Sequence, residues 1–548
     1  MRDFMKNHFS NSILQNIYKP LTFAGLLCLN DSCGPGPEKQ PEKPNVLFII
    51  CDDLNDFIGQ MGGHPQAKTP NIDRLMQQGI KFTNAHSNDP VSAPSRASML
   101  TGLYPHTSGL YSFEKWYKNP TLKNCNTIME VFSENDYQVM GTGKILHHND
   151  TSLWDEFGNE TDYGPYAFNG TEERKSPPWD GLVAHSSVLL PFGNNPFSSF
   201  APLSEIPNIP RGENFPGFEG WWDGYGRFNY IDENNRDLMP DEKNALWIEN
   251  KIRELEQSGS EQPFFLAVGF IRPHTPLHAP KKYFDMFPPE KIILPPYLEN
   301  DLEDCADGLV NHNGYPKGNY KRLIQAYKTR ENGLKEYVRA YLACVAFVDE
   351  QVGRVLEALE KSRFKENTIV IFTSDHGYHL GEKDVLFKHT LWDESTRIPL
   401  AIKASGITKP GTSCDHPVSL IDLYPTMVDL CDLESNNMKN REGAPTDGFS
   451  LKPFLVKPGR KNWPGPEVAL SAIISDKVKE GRNIPMKAED QHFSVRSLNW
   501  RYSLTYNNEE ELYDHRNDSN EWYNLAQDPE YEKIKKDLRE TLENMTGR

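Results

Sequence analysis

The chain has 548 residues, a formal net charge of −18, and 37% hydrophobic and 11% aromatic residues. Single cores stop growing at roughly 250–300 residues, so a large domain with a smaller companion is expected. No run approaches the ~20 apolar residues that span a bilayer, and the acidic surplus excludes a nucleic-acid binder held by a general basic surface, so an anionic substrate would need a local site.

Residues 1–43 read as a targeting leader and linker. Arg2, Lys6 and Lys19 precede the apolar run "LTFAGLLCL", and "NDSCGPGPEKQPEKPN" follows as a polar spacer. That order predicts export to the periplasm or, through lipidation of Cys33, to the cell surface as a bacterial lipoprotein. Asn30-Asp31-Ser32 before Cys33 match a lipobox poorly. Of the eight cysteines, Cys28 and Cys33 lie in the leader; Cys51, Cys125, Cys305, Cys344, Cys414 and Cys431 have no CxxC spacing and are expected to be buried thiols.

From residue 44 to 455, apolar runs suited to buried strands alternate with helical patterns, which predicts a three-layer α/β domain. The first strand, "NVLFII" (45–50), ends in Asp52-Asp53. "SAPSRASMLTG" then reads as a helix start with Ser92 as its cap and Pro94 in its first turn. "YQVMGTG" (137–143) is followed by Lys144 and His147. Residues 155–235, rich in aromatics, Gly, Pro and Asn, read as irregular loops walling a cleft, with aromatics for sugar faces; packing of an irregular insertion is the alternative. "PFFLAVGF" (263–270) leads to His274, and residues 300–340 are a second loop region. "TIVIFTS" (368–374) ends in Asp375-His376, and "IPLAIKA" (398–404) is the last strand of the domain. Ligands bind outside the carboxyl ends of open α/β sheets, so these strand-end clusters are expected on one rim. Residues 456–548, with "FSVRSLNWRYSLTYNNEEELYDH" and the amphipathic "EYEKIKKDLRETLENM", read as a C-terminal α+β subdomain.

Asp52, Asp53 and Asp375 offer hard oxygen ligands and His376 a nitrogen, a set able to hold a divalent cation beside a nucleophile. Taken singly, "DD" and "SDHG" are also common strand-end turns. Their company decides between the readings. "CDDLNDFIG", "KTPNIDRLMQQGIKFTNAH", "SAPSRASMLTG", "GTGKILHH", "RPHTPLHAP", "SDHGYHLGEK" and "ELYDHRNDSNEWYNLA" follow one another in the order found in the formylglycine-dependent type I sulfatases of the alkaline phosphatase superfamily. The chain resembles that family from about Pro44 to its C-terminus, most closely the iduronate-2-sulfatase-like branch, which has the Asp-His of "SDHG" and the GK..H spacing. Many other sulfatases carry asparagine at the position of His376.

The resemblance implies an alkaline-phosphatase-like sulfatase fold. It also implies that Ser92, first in the pattern Cys/Ser-x-Pro-small-Arg, is oxidised to formylglycine by a serine-type maturase. The hydrated aldehyde is then the nucleophile: a sulfate ester of plain serine would be trapped, whereas a sulfated gem-diol expels sulfate when its second hydroxyl loses a proton. By the same carry-over, Asp52, Asp53, Asp375, His376 and modified Ser92 hold one Ca²⁺. Arg96 and Lys144 neutralise metal-bound oxygens, His147 takes the gem-diol proton, and His274 and Lys388 contact sulfate and the leaving oxygen. Lys383 lies close enough to compete for the Lys388 role, and His148, His278, His379 and His389 have no assigned role. Imidazole suits zinc or manganese better than calcium, but the iduronate branch accepts the histidine with Ca²⁺.

The expected function is an exported sulfatase acting on sulfated oligosaccharide or polysaccharide; O2 of a uronic acid is one candidate position, and the sequence does not identify the sugar. The alternatives are a phosphate or phosphonate monoester hydrolase of the same superfamily, and a non-catalytic glycan-binding lipoprotein.

Overall fold

Strand β1 (Asn45–Asp52) is buried along its whole length, and its side chains alternate between two cores. Leu47, Ile49 and Cys51 enter one; Val46, Phe48 and Ile50 enter the other. A strand buried on both faces reads as continuous apolar sequence, which is why "NVLFII" was legible as the middle of a layered fold. The computed structural model describes residues 43–172, 182–184, 199–205, 219–223, 226–310, 315–477 and 486–548.

Around β1 lie β2 (Ile80–His86), β3 (Gln138–Gly143), β4 (Phe264–Pro273), β5 (Thr368–Ser374) and β6 (Arg397–Lys403). Their order across the sheet is β2-β6-β5-β1-β4-β3, extended by short edge strands at Thr412–Cys414, Val418–Ser419 and Glu156–Phe157. Strands β3, β4, β1 and β5 run parallel; β6 is antiparallel to both β5 and β2. Helices α2 (Pro240–Ser258) and α3 (Arg330–Lys361) pack in the first core and α1 (Ser92–Thr101) in the second, giving the expected three layers of an α/β fold.

Parallel register brings the chemistry to one edge. Cys51 pairs with Ser374, Asp52 with Pro273 and Gly143 with Gly269, so Asp52, Lys144, His274 and Asp375 all follow carboxyl ends at one level. Two glycines permit the closest approach: Gly143 has φ +77°, a Cβ there would meet Gly269 O at 2.1 Å, and a Cβ on Gly269 would meet Lys144 O at 2.0 Å.

Two expectations need correction. Residues 155–235 are less irregular than their composition predicts: Tyr166–Glu172 pairs with Leu182–Ala184 and with Glu219–Asp223, which pairs in turn with Gly226–Arg227, forming a four-stranded antiparallel sheet. Strands this short, broken by Gly and Asn, leave no period to detect. The loops expected at 173–181, 185–198, 206–218 and 224–225 lie outside the described residues. Within residues 300–340 the chain is largely helical, with a helix at Tyr315–Tyr327 followed by α3.

Beyond residue 455, β7 (Ala469–Ile473), β8 (His492–Arg496), β9 (Trp500–Leu504) and β10 (Glu510–Asp514) make an antiparallel sheet. Helix α4 (Glu532–Thr546) contributes Leu538 and Leu542 to a third core with Phe493 and Tyr502. Residues 43–548 pack as one unit. Cys51, Cys125, Cys305, Cys344, Cys414 and Cys431 are free thiols, all but Cys305 buried. Among the described residues no helix is long and apolar enough to cross a membrane.

Candidate active site

Helix α1 begins at Ser92, and its N-cap is Val91, which makes no side-chain cap bond. Ser92 is therefore the first helical residue, and its hydroxyl is spent elsewhere: Oγ lies 3.0 Å from His376 Nε2 and 3.3 Å from Asp52 Oδ1. The expected serine cap is thus overturned in favour of a hydroxyl aimed at the strand ends. The first backbone N–H groups of α1 and the positive end of its dipole favour negative charge at the same place. Ser95, one turn position on, fixes the neighbouring strand end by donating from Oγ to Asp375 O at 2.5 Å.

Asp52, Asp53, Asp375 and His376 present donor atoms that all lie within 4.8 Å of one another. His376 Nδ1 donates to Gly377 O at 3.0 Å, leaving the Nε2 lone pair facing the carboxylates, 3.5 Å from Asp53 Oδ1 and 3.4 Å from Asp375 Oδ2. Burial pushes the imidazole down to about 4, so it is neutral and fit to be a ligand. Asp53 sits at φ +63°, and the Tyr341 hydroxyl secures that turn by donating to Asp53 O at 2.7 Å while accepting from Asn55 N at 3.0 Å. Three hard oxygens and one neutral imidazole fit a divalent cation.

The cationic side chains are unevenly shared. Arg96 is fully buried; it donates from Nε to Asp375 Oδ2 at 3.0 Å and from one terminal nitrogen to Asp52 Oδ1 at 3.1 Å. Its other terminal nitrogen donates to the carbonyls of Lys144 and Ile145. Lys144 pairs with Asp52 Oδ2, and Lys388 lies 2.5 Å from Asp53 Oδ1. Although burial pushes Asp52 upward, Lys144, His274 and Arg96 hold its carboxyl well below the usual range. Asp53 goes the other way: burial raises it to about 7, Lys388 opposes the shift, and the Asp52 and Asp375 charges add to it.

His274 reaches the same centre, with Nε2 3.8 Å from Asp53 Oδ2 and Nδ1 donating to Thr275 O at 2.6 Å. Burial and the Lys388 charge hold its pKa well below the ordinary value. His147 is farther out. Burial and Lys144 lower its pKa, its ring lies 5.2 Å from that of the 42%-exposed Phe113, and its Nδ1 has no hydrogen-bond partner among the described residues. The lysine ambiguity resolves geometrically: Lys383 bonds Asp301 Oδ1 at 2.8 Å and the Glu521 carbonyl, away from the carboxylates. Of the unassigned histidines, His278 bonds Ser199 and Ala201, and His379 bonds Thr390, all within the protein. His148 holds Phe113 O at 2.8 Å, and the His389 ring lies 6.3 Å from that of Phe113.

Sequence reasoning missed Tyr163, Asp241, Arg272 and Tyr341. Tyr163 places its ring 4.8 Å from Lys144 Nζ and 5.0 Å from the His274 ring. Tyr163, Asp241 and Tyr341 belong to no quoted motif; Arg272 opens "RPHTPLHAP", where His274 alone was given a role. The assembled groups can bind a tetrahedral oxyanion ester, hold a cation beside Ser92 and deliver a proton from an imidazole.

Residues 44–433 match the sulfatase family, and residues 381–548 match the C-terminal region of N-sulphoglucosamine sulphohydrolase. A sulfatase of Formosa agariphila is 32% identical over 89% of this chain and 84% of its own length. Human iduronate 2-sulfatase is 29% identical over 76% of this chain and 74% of its own. In fold, the chain is similar to a solved protein in complex with its substrate D-glucosamine-2-N,6-O-disulfate, with a TM-score of 0.64 and 21% identity across 92% of this chain and 98% of that one.

Proposed function

The chain belongs to the sulfatase family and is a sulfuric ester hydrolase, and from that premise we propose that it removes sulfate from sulfated glycans, with a uronate 2-O-sulfate as the leading candidate, using a formylglycine made from Ser92 and one Ca²⁺. The observation that carries the reading is the convergence of Asp52, Asp53, Asp375 and His376 on the Ser92 hydroxyl at the N-terminus of a buried helix. The likeness to an iduronate 2-sulfatase supports the sugar, and the serine in the formylglycine position supports maturation by a serine-type enzyme.

In the net reaction, water and the ester give the free sugar hydroxyl, sulfate and a proton. Asp52, Asp53, Asp375 and His376 would hold the cation, which when bound supplies positive charge to sulfate oxygens and to the nucleophile. Arg96 and Lys144 keep Asp52 ionised and add positive charge at the nucleophile's side. Lys388, held at Asp53, would neutralise the ester's charge. His274 gives its Nε2 proton to the departing sugar oxygen: Nδ1 is already committed to Thr275 O, so the ring presents only Nε2 to the centre. To act as the acid, His274 takes a second proton from solvent onto Nε2, and the charge of the anionic ester opposes the depression that burial and Lys388 impose on the ring. His147, whose Nδ1 has no hydrogen-bond partner among the described residues, accepts the proton released from the nucleophile.

Export by the leader to the periplasm or cell surface forms part of the same proposal; that leader lies outside the described residues. Mass spectrometry of the Ser92 peptide from native protein tests the reading. A loss of two hydrogens at Ser92 together with sulfate release from sulfated oligosaccharides is expected. Unmodified serine in fully active protein would overturn it, and turnover of phosphate or phosphonate monoesters in place of sulfate esters would transfer the site to that chemistry.

A further inference from the structure

We propose that Arg272 and Tyr163 form a brace that sets the His274 imidazole and the Lys144 ammonium in their working relation, making both positioning residues for protonation of the leaving group. The proposal rests on the sulfatase reading and on the acid role of His274.

Arg272 is a fully buried cation whose guanidinium, among the described residues, hydrogen-bonds to main-chain oxygens. Nε donates to His278 O at 3.0 Å, one terminal nitrogen to Tyr163 O at 3.2 Å and His274 O at 3.5 Å, and the other to Gly164 O at 2.9 Å. Those oxygens come from two segments far apart in sequence, 163–164 and 274–278. Taking a guanidinium out of water is costly, so its retention calls for bonds that nothing smaller makes. A planar fork can serve several carbonyls in fixed directions, and an ammonium cannot reproduce that pattern. The backbone beneath it is fixed as well: the Asp241 carboxylate accepts from Ile271 N at 2.7 Å and from Arg272 N at 2.9 Å.

The clamp acts through Tyr163. With its carbonyl held by Arg272, the Tyr163 ring lies against the His274 ring, 5.0 Å between centroids at 51°, and 4.8 Å from Lys144 Nζ. The ring face attracts the ammonium, and its body blocks the imidazole from turning away from Asp53. One guanidinium thus ties together the two loops that carry the acid and its aromatic neighbour, while Lys144 reports to Asp52. A role confined to holding loops in the fold would affect every substrate alike. A brace for the acid affects esters in proportion to their need for a proton.

The test uses full-length, calcium-loaded protein with formylglycine content measured by mass spectrometry. Arg272→Lys, Tyr163→Leu, Tyr163→Phe and His274→Ala are each assayed on a sugar sulfate and on 4-nitrophenyl sulfate. Arg272→Lys and Tyr163→Leu are expected to lower kcat on the sugar sulfate by roughly 10- to 100-fold, with a much smaller loss on the aryl sulfate. Tyr163→Phe, which retains the ring, should recover most of the sugar-sulfate rate lost in Tyr163→Leu. Should Arg272→Lys fail to fold, the pair at Tyr163 carries the same comparison. Selectivity in His274→Ala with equal losses on both substrates in the brace variants overturns the brace alone. Equal losses in His274→Ala overturn the acid role, and the brace with it; a parent that hydrolyses neither sulfate overturns the function proposed above.

Discussion

Among the described residues two clusters have the ligand spacing of a metal site, one wholly buried and one with a half-buried histidine, and they are built to opposite ends. Asp52, Asp53, Asp375 and His376 form one; Asp393, His515 and Glu521, at the seam with the C-terminal sheet, form the other, and in each the donor atoms lie within 4.8 Å of one another. At the seam every carboxylate is served. Glu521 Oε1 accepts from Arg501 Nε and lies 2.9 Å from His515 Nε2, its Oε2 accepts from Asp393 N at 2.8 Å, and Asp393 Oδ1 takes Arg501 at 2.5 Å and Arg496 at 3.4 Å. Burial pushes Glu521 up, yet Arg501 and His515 hold it at about 2. In the centre the same burial wins at Asp53, which rises to about 7 beside two like charges. Proximity of ligands is therefore a poor guide to metal binding; what matters is whether the protein's own cations leave a carboxylate underserved. The seam is a lock, whereas at the centre burial keeps Asp53 above the usual carboxylate range even with Lys388 beside it.

The sharpest way to break this comparison is to remove a carboxylate from each cluster. Asp53→Ala and Asp375→Ala should abolish calcium binding by calorimetry and reduce turnover to background, whereas Glu521→Gln should bind calcium as the parent does. Calcium binding lost in the seam variant and kept in the centre variants would reverse the assignment. Next in size is the nucleophile: protein made without serine-type maturation should fold, bind calcium and remain nearly inactive, and co-expression with such a maturase should restore the parent but not Ser92→Ala. Activity of the unmatured parent equal to that of the matured protein would remove formylglycine from the scheme. His274→Ala follows, with kcat on a sugar sulfate falling roughly 10²- to 10⁴-fold and on an activated aryl sulfate much less. Equal losses in a variant that keeps calcium and formylglycine would pass the acid role to Lys388 or His147.

The two clusters also differ in how they were written in the sequence. The centre was legible because its groups stand at the ends of apolar strands: "NVLFII" delivers Asp52-Asp53 and "TIVIFTS" delivers Asp375-His376, and parallel register carries both to one rim. The seam was not legible. Asp393 and Arg501 lie on a short helix and an antiparallel strand outside any quoted motif, and Glu521, though inside "ELYDHRNDSNEWYNLA", has no spacing to them that would announce a cluster. Tyr163 was hidden for a related reason, since it lies in a segment whose composition reads as loop and whose partner, Arg272, is 109 residues away. The Ser92 cap shows the converse error: a local rule for helix starts gave a complete account of "SAPSR" and missed that the hydroxyl is needed by His376.

A smaller effect separates lock from catalyst. Arg501→Met leaves Glu521 and Asp393 buried without their main partner, and such uncompensated charges typically cost about 3–5 kcal/mol. Urea denaturation should report that loss, while kcat per folded, matured molecule stays near the parent value because, among the described residues, no side-chain bond joins Arg501, Asp393 or Glu521 to Asp52, Asp53, Asp375 or His376. A fall in kcat without a fall in stability would show the seam to be part of the active site.

The smallest predicted effect is the pH dependence that the seam confers. Glu521 titrates at about 2 in the folded protein against an ordinary 4.5, and Asp393 is likewise held well below its usual value by Arg496 and Arg501 against the upward push of burial. Between those values the unfolded chain binds a proton that the folded chain does not. The seam's contribution is therefore present in full above pH 4.5 and drains away as pH falls toward 2. For Glu521 the stake is on the order of 3 kcal/mol, shared with Asp393 because both depend on Arg501. Glu521→Gln cannot titrate, so the stability difference between parent and variant should shrink steadily as urea midpoints are measured from pH 5 down to pH 2. A gap that stays constant across that range would mean that Glu521 is held by shape rather than by charge, and the contrast between a neutralised lock and an underserved centre would lose its electrostatic basis.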